Sequence, residues 1–179
     1  MKNIILARVD DRLIHGQITI GWLNKINIDT IIIVDEELKR NSFLSDMTKK
    51  AAPDKYNIKI LTEKEFIDFY NDNGEGNENL LILSKKPQTY ENIQNKSKIF
   101  SEINIGNIGS KKRSEKIYKS IHMNSEEQES VNNLLKKGCS VYIQILPENS
   151  KIDIEKLIWR GWANDVIKIC FTRFYLLYW

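Results

Sequence analysis

Thr30-Ile31-Ile32-Ile33-Val34-Asp35 carries four large apolar residues in succession, with no polar residue among them. A strand with one wet face alternates, whereas an unbroken β-branched run suits a parallel strand covered by helices on both sides. Outward from this segment, further apolar runs stand at residues 4–9, 58–61, 80–83, 103–105 and 141–146, with room for helices between them. Thr62 with Glu65, and Ser125 with Gln128, have the spacing of capping boxes, and Gly138 stands where the second of these helices should stop. Strand and helix in alternation predict a single α/β domain: an open, mainly parallel, doubly wound sheet with helices on both faces. Sites in such sheets lie beyond the carboxyl ends of the strands, here residues 10–16, 35–41, 84–89 and 106–113. The polar, glycine-containing stretch 71–79 reads as a solvent-exposed connection.

A chain of 179 residues, 41% of them hydrophobic, is large enough for one substantial core. Its 27 basic and 24 acidic residues leave a net charge of +3, too small a surplus for a nucleic-acid surface or a polybasic membrane anchor. Cys139 and Cys170 fit neither a metal-ligand spacing nor a disulfide framework, which suits inert thiols in a reducing compartment. The short apolar run at residues 4–9 is interrupted by Arg8 and then by Asp10, Asp11 and Arg12, so it reads neither as a signal peptide nor as a span. Nowhere do the roughly 18 uninterrupted apolar residues of a membrane helix occur, and a cytoplasmic protein is expected.

The segment Arg8-Val9-Asp10-Asp11-Arg12-Leu13-Ile14-His15-Gly16-Gln17 follows the first strand and precedes an expected helix over residues 17–25. A neutral imidazole nitrogen on His15 is a competent nucleophile near neutral pH, and helix N-terminal amides welcome an anion once one is attached. Arg8 and Arg12 are near enough in sequence to neutralise a phosphoryl group, and Asp10 or Asp11 to hold the other ring nitrogen and fix its tautomer. On chemistry alone, a histidine packed under the first helix beside a solvated charged turn accounts for the segment equally well.

The wording of the loop carries more. ARVDDRLIHGQI (residues 7–18) resembles the active-site signature of the IIB components of the mannose/fructose/sorbose family of the bacterial phosphoenolpyruvate-dependent sugar phosphotransferase system. IIIVDEE (31–37), AAP (51–53), INIGNIG (103–109) and LPENSKIDIEKLI (146–158) are similar to that family in order and spacing, so the likeness covers residues 1–158. It implies an open α/β sheet and a phosphocarrier that needs no metal, nucleotide or other cofactor. His15 would accept a phosphoryl group from the phosphohistidine of a IIA component and pass it to a sugar at the membrane-embedded IIC and IID permease, with the protein cytoplasmic and peripherally associated there. Arg12 maps onto the transition-state stabiliser. Arg8, Asp10, Asp11, Gly16, Gln17, Gly106 and Asn107 fall at positions expected to bind phosphate or orient the loop. The resemblance also admits a homodimer, with no interface legible in the pattern, and leaves the sugar open.

At residues 106–109 the chain departs from the family's usual pair of adjacent glycines, with Asn107 in place of the second. Asparagine tolerates positive φ, so a turn is expected there, either as a second wall of the phosphate site or as a plain connection. Lys111, Lys112 and Arg113 read as a solvated cationic run, and His122 as structural or exposed. Residues 159–179 hold three of the four tryptophans, Trp159, Trp162 and Trp179, and form an aromatic tail that docks, lies at an interface or is foreign to the domain. Two other readings remain at this point: a nucleotide- or small-molecule-binding domain, and a regulatory relative without turnover. Against the first stands the lack of a G-x-G-x-x-G or G-x-x-x-x-G-K-[ST] motif, and against the second the intact Arg12 and His15.

Overall fold

A computed structural model describes residues 2–72 and 77–161. The aromatic tail beyond Gly161 and the centre of the polar connection at 71–79 lie outside the described residues. Six strands are parallel: β1 (Lys2–Asp10), β2 (Thr30–Val34), β3 (Asn57–Leu61), β4 (Glu78–Ser84), β5 (Glu102–Asn107) and β8 (Ser140–Ile143). With β9 (Ile152–Asp153) added antiparallel at one edge, the order is β3-β2-β4-β1-β5-β8-β9. The remaining pair, β6 (Glu115–Tyr118) and β7 (Ile121–Met123), forms a separate antiparallel hairpin.

All five residues of β2 are buried, as the unbroken run required, and its side chains divide between two cores. Ile32 and Val34 join Ala7, Val9, Leu80, Ile82, Ile103 and Ile105 beneath the helices α3 (Glu63–Asn71), α4 (Pro87–Lys96) and α5 (Ser125–Lys136). Ile31 and Ile33 join Leu6, Leu81 and Leu83 beneath the loop after β1 and α1 (Glu36–Arg40). Each such fully buried aliphatic side chain contributes roughly 1.5–3 kcal/mol. Next in the chain, α2 (Ser42–Lys50) buries only Ser45, leaving Phe43, Leu44 and Met47 exposed. The last described helix is α6 (Ile154–Gly161).

Thr62 and Glu65 form the expected capping box on α3. On α5 the box stands one residue earlier than expected. Asn124 Oδ1 accepts from Glu127 N at 2.9 Å, and Glu127 Oε2 accepts from Asn124 N at 3.0 Å. Asparagine caps as well as serine, and its extended backbone here leaves Ser125 inside the first turn. Gly138, at φ +82°, ends the helix in the left-handed conformation. The expected strand at 141–146 stops at Ile143, because the chain turns there to supply β9 and carbonyls for a buried arginine.

Candidate functional site

β1 occupies the middle of the sheet between β4 and β5, and its carboxyl end is the point from which chain connections diverge to either side. The last residues of β1 deliver Arg8 and Asp10, both with side chains fully buried. Arg8 Nη2 donates to Asp10 Oδ2 at 2.9 Å and to the Ile145 carbonyl at 3.2 Å, while Nη1 donates to Asn104 Oδ1 at 2.6 Å and to the Gln144 carbonyl at 2.9 Å. Its guanidinium lies 5.3 Å from the Trp22 ring centroid. Burial pulls the Arg8 pKa below its ordinary value, and the adjoining Asp10 carboxylate opposes that shift.

Arg8, expected to bind phosphate or orient the loop, is therefore buried, with its guanidinium bound to Asp10, Asn104 and two loop carbonyls. Gly106 stands against the same guanidinium. A Cβ built on it would stand 1.8 Å from Arg8 Cζ, so this glycine makes space for the guanidinium. Asn107 lies in β5 with no positive φ, so the expected turn is absent. Its Nδ2 donates to Asp11 Oδ1 at 2.6 Å, and Asp11 Oδ2 accepts from Gly109 N at 2.7 Å. Asp11 thus ties the loop to the end of β5, and the contact to the histidine ring falls to Asp10.

Beyond Asp11 the chain reverses at Leu13, whose φ of +54° is rare for a branched side chain. This reversal turns Leu13 and Ile14 into the core while Arg12 stays 44% exposed at the rim. His15 follows at the start of a π-helical segment, Gln17–Trp22, with Leu23 N donating to Ile18 O at 2.9 Å. The expected helix to residue 25 gives way to a turn after Trp22. His15 Nε2 lies 3.1 Å from Asp10 Oδ2, and Nδ1 accepts from the Gln17 amide at 3.3 Å. The ring is more covered than an imidazole free at the mouth of a sheet, with the side chain 17% exposed. Asp10 holds Nε2 as the protonated nitrogen and leaves the Nδ1 lone pair under one long amide contact. Arg12 Nε reaches Asp10 Oδ1 at 3.4 Å and Nη2 reaches Gln17 Oε1 at 2.7 Å, which brings Arg12, His15, Asp10 and Gln17 into one cluster. Gly16 has an ordinary φ of −51°, and a Cβ added there meets nothing within 4 Å, so the surface beside the ring is open.

A cleft of about 400 Å³ runs past the ends of β2 and β4, lined by Asp35, Ser84, Lys85, Lys111 and Asp11, yet neither Arg12 nor His15 forms its wall. Lys111 pairs with Glu127 at 2.7 Å, while Lys112 and Arg113 are solvated. His122 lies on the β6–β7 hairpin with Nδ1 shielded and unpaired. Among the described residues no group of three or more His, Cys, Asp or Glu is placed to hold a metal ion, and no helix is long and apolar enough to cross a membrane. The sequence reading missed Asn104, Gln144 and Trp22 as supports of Arg8. The one local sign was a polar Asn104 between Ile103 and Ile105 in the strand Glu102–Asn107.

A family profile described as the sorbose subfamily IIB component of the phosphotransferase system matches residues 4–165. A sorbose-specific EIIB component of Lacticaseibacillus casei is 29% identical over 151 residues, spanning 84% of this chain and 92% of that protein. The mannose-specific EIIAB component of Escherichia coli is 22% identical over 153 residues, spanning 86% of this chain and 47% of that protein. The crystal structure of the IIBSor domain of the sorbose permease from Klebsiella pneumoniae superposes with a TM-score of 0.83 at 21% identity, covering 89% of this chain and 98% of that one.

Proposed function

The chain belongs to the sorbose subfamily of phosphotransferase-system IIB components, and on that premise we propose that His15 takes a phosphoryl group on Nδ1 from a IIA phosphohistidine and passes it to a sugar at a IIC/IID permease. The observation that carries this reading is the 3.1 Å contact between Asp10 and Nε2, because it leaves Nδ1, in the cluster with Arg12, held by a single long amide contact. In the first transfer the donor N–P bond breaks as the Nδ1–P bond forms. Nε2 keeps its proton, and Asp10 offsets the positive charge that develops on the ring.

The Gln17 amide must leave Nδ1, at a cost of about 1 kcal/mol, and becomes a donor for a phosphoryl oxygen. Arg12 supplies a cation beside the transferring group. In the second transfer the Nδ1–P bond breaks, the sugar oxygen takes the phosphoryl group, and the hydroxyl proton is released. The open surface at Gly16, with the cleft elsewhere, supports delivery by docked proteins over capture of a free small molecule. The fusion of IIA with IIB in the name of the E. coli mannose relative supports a IIA donor. This work would take place at the cytoplasmic face of the permease.

Incubation with phosphoenolpyruvate, the two general phosphotransferase proteins and a IIA donor is expected to place acid-labile, base-stable phosphate on Nδ1 of His15, and none on His15→Ala. An active donor that leaves the wild-type ring unphosphorylated, or phosphate attached at Nε2, would overturn the reading.

A further inference from the structure

Gln17 touches both reacting residues with different atoms: its backbone amide donates to His15 Nδ1 at 3.3 Å, and its side-chain Oε1 accepts from Arg12 Nη2 at 2.7 Å. We infer that Gln17 is a positioning residue that sets Arg12 in register with Nδ1. This inference rests on the reading of His15 as the phosphoryl acceptor.

An arginine 44% exposed on a long stem has many rotamers open to it. Apart from Gln17, among the described residues the side chain of Arg12 has only the 3.4 Å contact from Nε to Asp10 to hold it, which leaves its Nη groups without an anchor. Gln17 removes that freedom from a firm base. It begins the π-helical segment, which is anchored by Leu23 N to Ile18 O at 2.9 Å and by Trp22 Nε1 to the Ile145 carbonyl at 3.2 Å. The same backbone therefore fixes the nucleophile's neighbour and the cation's far end.

The choice of an amide follows from the charge of the group in transit. A neutral carbonyl oxygen aligns the guanidinium and leaves its full positive charge for the phosphoryl oxygens. A carboxylate at the same place would hold Arg12 more tightly, cancel that charge and repel the incoming anion. Glu and Gln share size and reach, so charge alone separates them.

Single-turnover transfer from phosphorylated IIA tests this on the full chain. Gln17→Ala is expected to slow transfer at saturating donor between about ten- and a hundredfold, with the half-saturating donor concentration unchanged within about twofold. Gln17→Glu is expected to lose at least as much, although it preserves shape and reach. In an Arg12→Ala background, Gln17→Ala is expected to cost nothing further, because the residue it positions is gone. Equal fold losses from Gln17→Ala with and without Arg12, a loss confined to donor affinity, or a Gln17→Glu variant as fast as wild type would each overturn the inference. Failure of the parent reading is distinguishable: the wild-type ring would then take no phosphate at all.

Discussion

The carboxylate of Asp10 faces His15 and Arg8 through a single oxygen, Oδ2, at 3.1 Å from the ring Nε2 and 2.9 Å from the guanidinium Nη2. One acceptor thereby orients the imidazole and neutralises a cation sealed in the sheet. Losing it should disturb stability and chemistry together.

Asp10→Asn leaves Arg8 buried without its counter-charge and lets the imidazole adopt either tautomer. Stability is expected to fall by about 3 kcal/mol or more, and transfer to His15 by about a hundredfold. Urea unfolding measures the first and single-turnover transfer the second, while nitrogen-resolved magnetic resonance reads the tautomer of the ring. A variant of wild-type stability would show that Arg8 has another compensating partner.

Two glycines predict opposite outcomes. Gly106→Ala puts a methyl group into the Arg8 guanidinium, so it is expected to cost about 3 kcal/mol and to loosen Asp10. Gly16→Ala meets open space at an ordinary φ, so the fold should keep its stability within about 0.5 kcal/mol. Phosphorylation by a docked donor should nevertheless slow in Gly16→Ala, because the new methyl occupies the approach to the ring. Thermal melts paired with transfer rates separate the two effects.

Asn107→Gly removes the 2.6 Å bond to Asp11 while the Gly109 amide still holds the other carboxylate oxygen. The expected loss is about 1 kcal/mol of stability, with transfer retained within a few fold. A hundredfold loss of transfer would instead make Asn107 part of the reaction site.

Burial pushes the Tyr142 phenol up to about 12, well above the ordinary 10 of an unfolded chain. Between pH 10 and 12 the unfolded chain gives up this proton and the folded one keeps it, so stability falls as pH rises through that window. Below pH 10 both states hold the proton and the contribution is flat. Tyr142→Phe is expected to lower the steepness of the alkaline decline by up to about 1.4 kcal/mol per pH unit, read from denaturant midpoints at several pH values. An unchanged slope would indicate that the Tyr142 hydroxyl is solvated.

How far the sequence disclosed this structure depended on the range of the contacts involved. Ile31 to Val34 announced a doubly covered strand because burial on both faces leaves no alternation, and Thr62 with Glu65 announced a cap because its hydrogen bonds span three residues. The β6–β7 hairpin escaped notice because Glu115–Tyr118 and Ile121–Met123 are short and mixed in polarity. Arg8 was legible as important and illegible as buried. Its neighbours Asn104, Gln144 and Ile145 come from distant strands and loops, and no local spacing encodes them. The glycine at 106 suggested a turn for the same reason, since the group it makes room for is in another strand.

The grip on Arg8 cannot be complete until late in synthesis. The residue sits in the first strand to be made, yet among the described residues two of the four acceptors of its guanidinium are carbonyls 136 and 137 positions later. Until the ribosome has released that stretch, the nascent protein lacks these acceptors, and fragments ending before β8 would leave Arg8 short of them and the edge of β5 open.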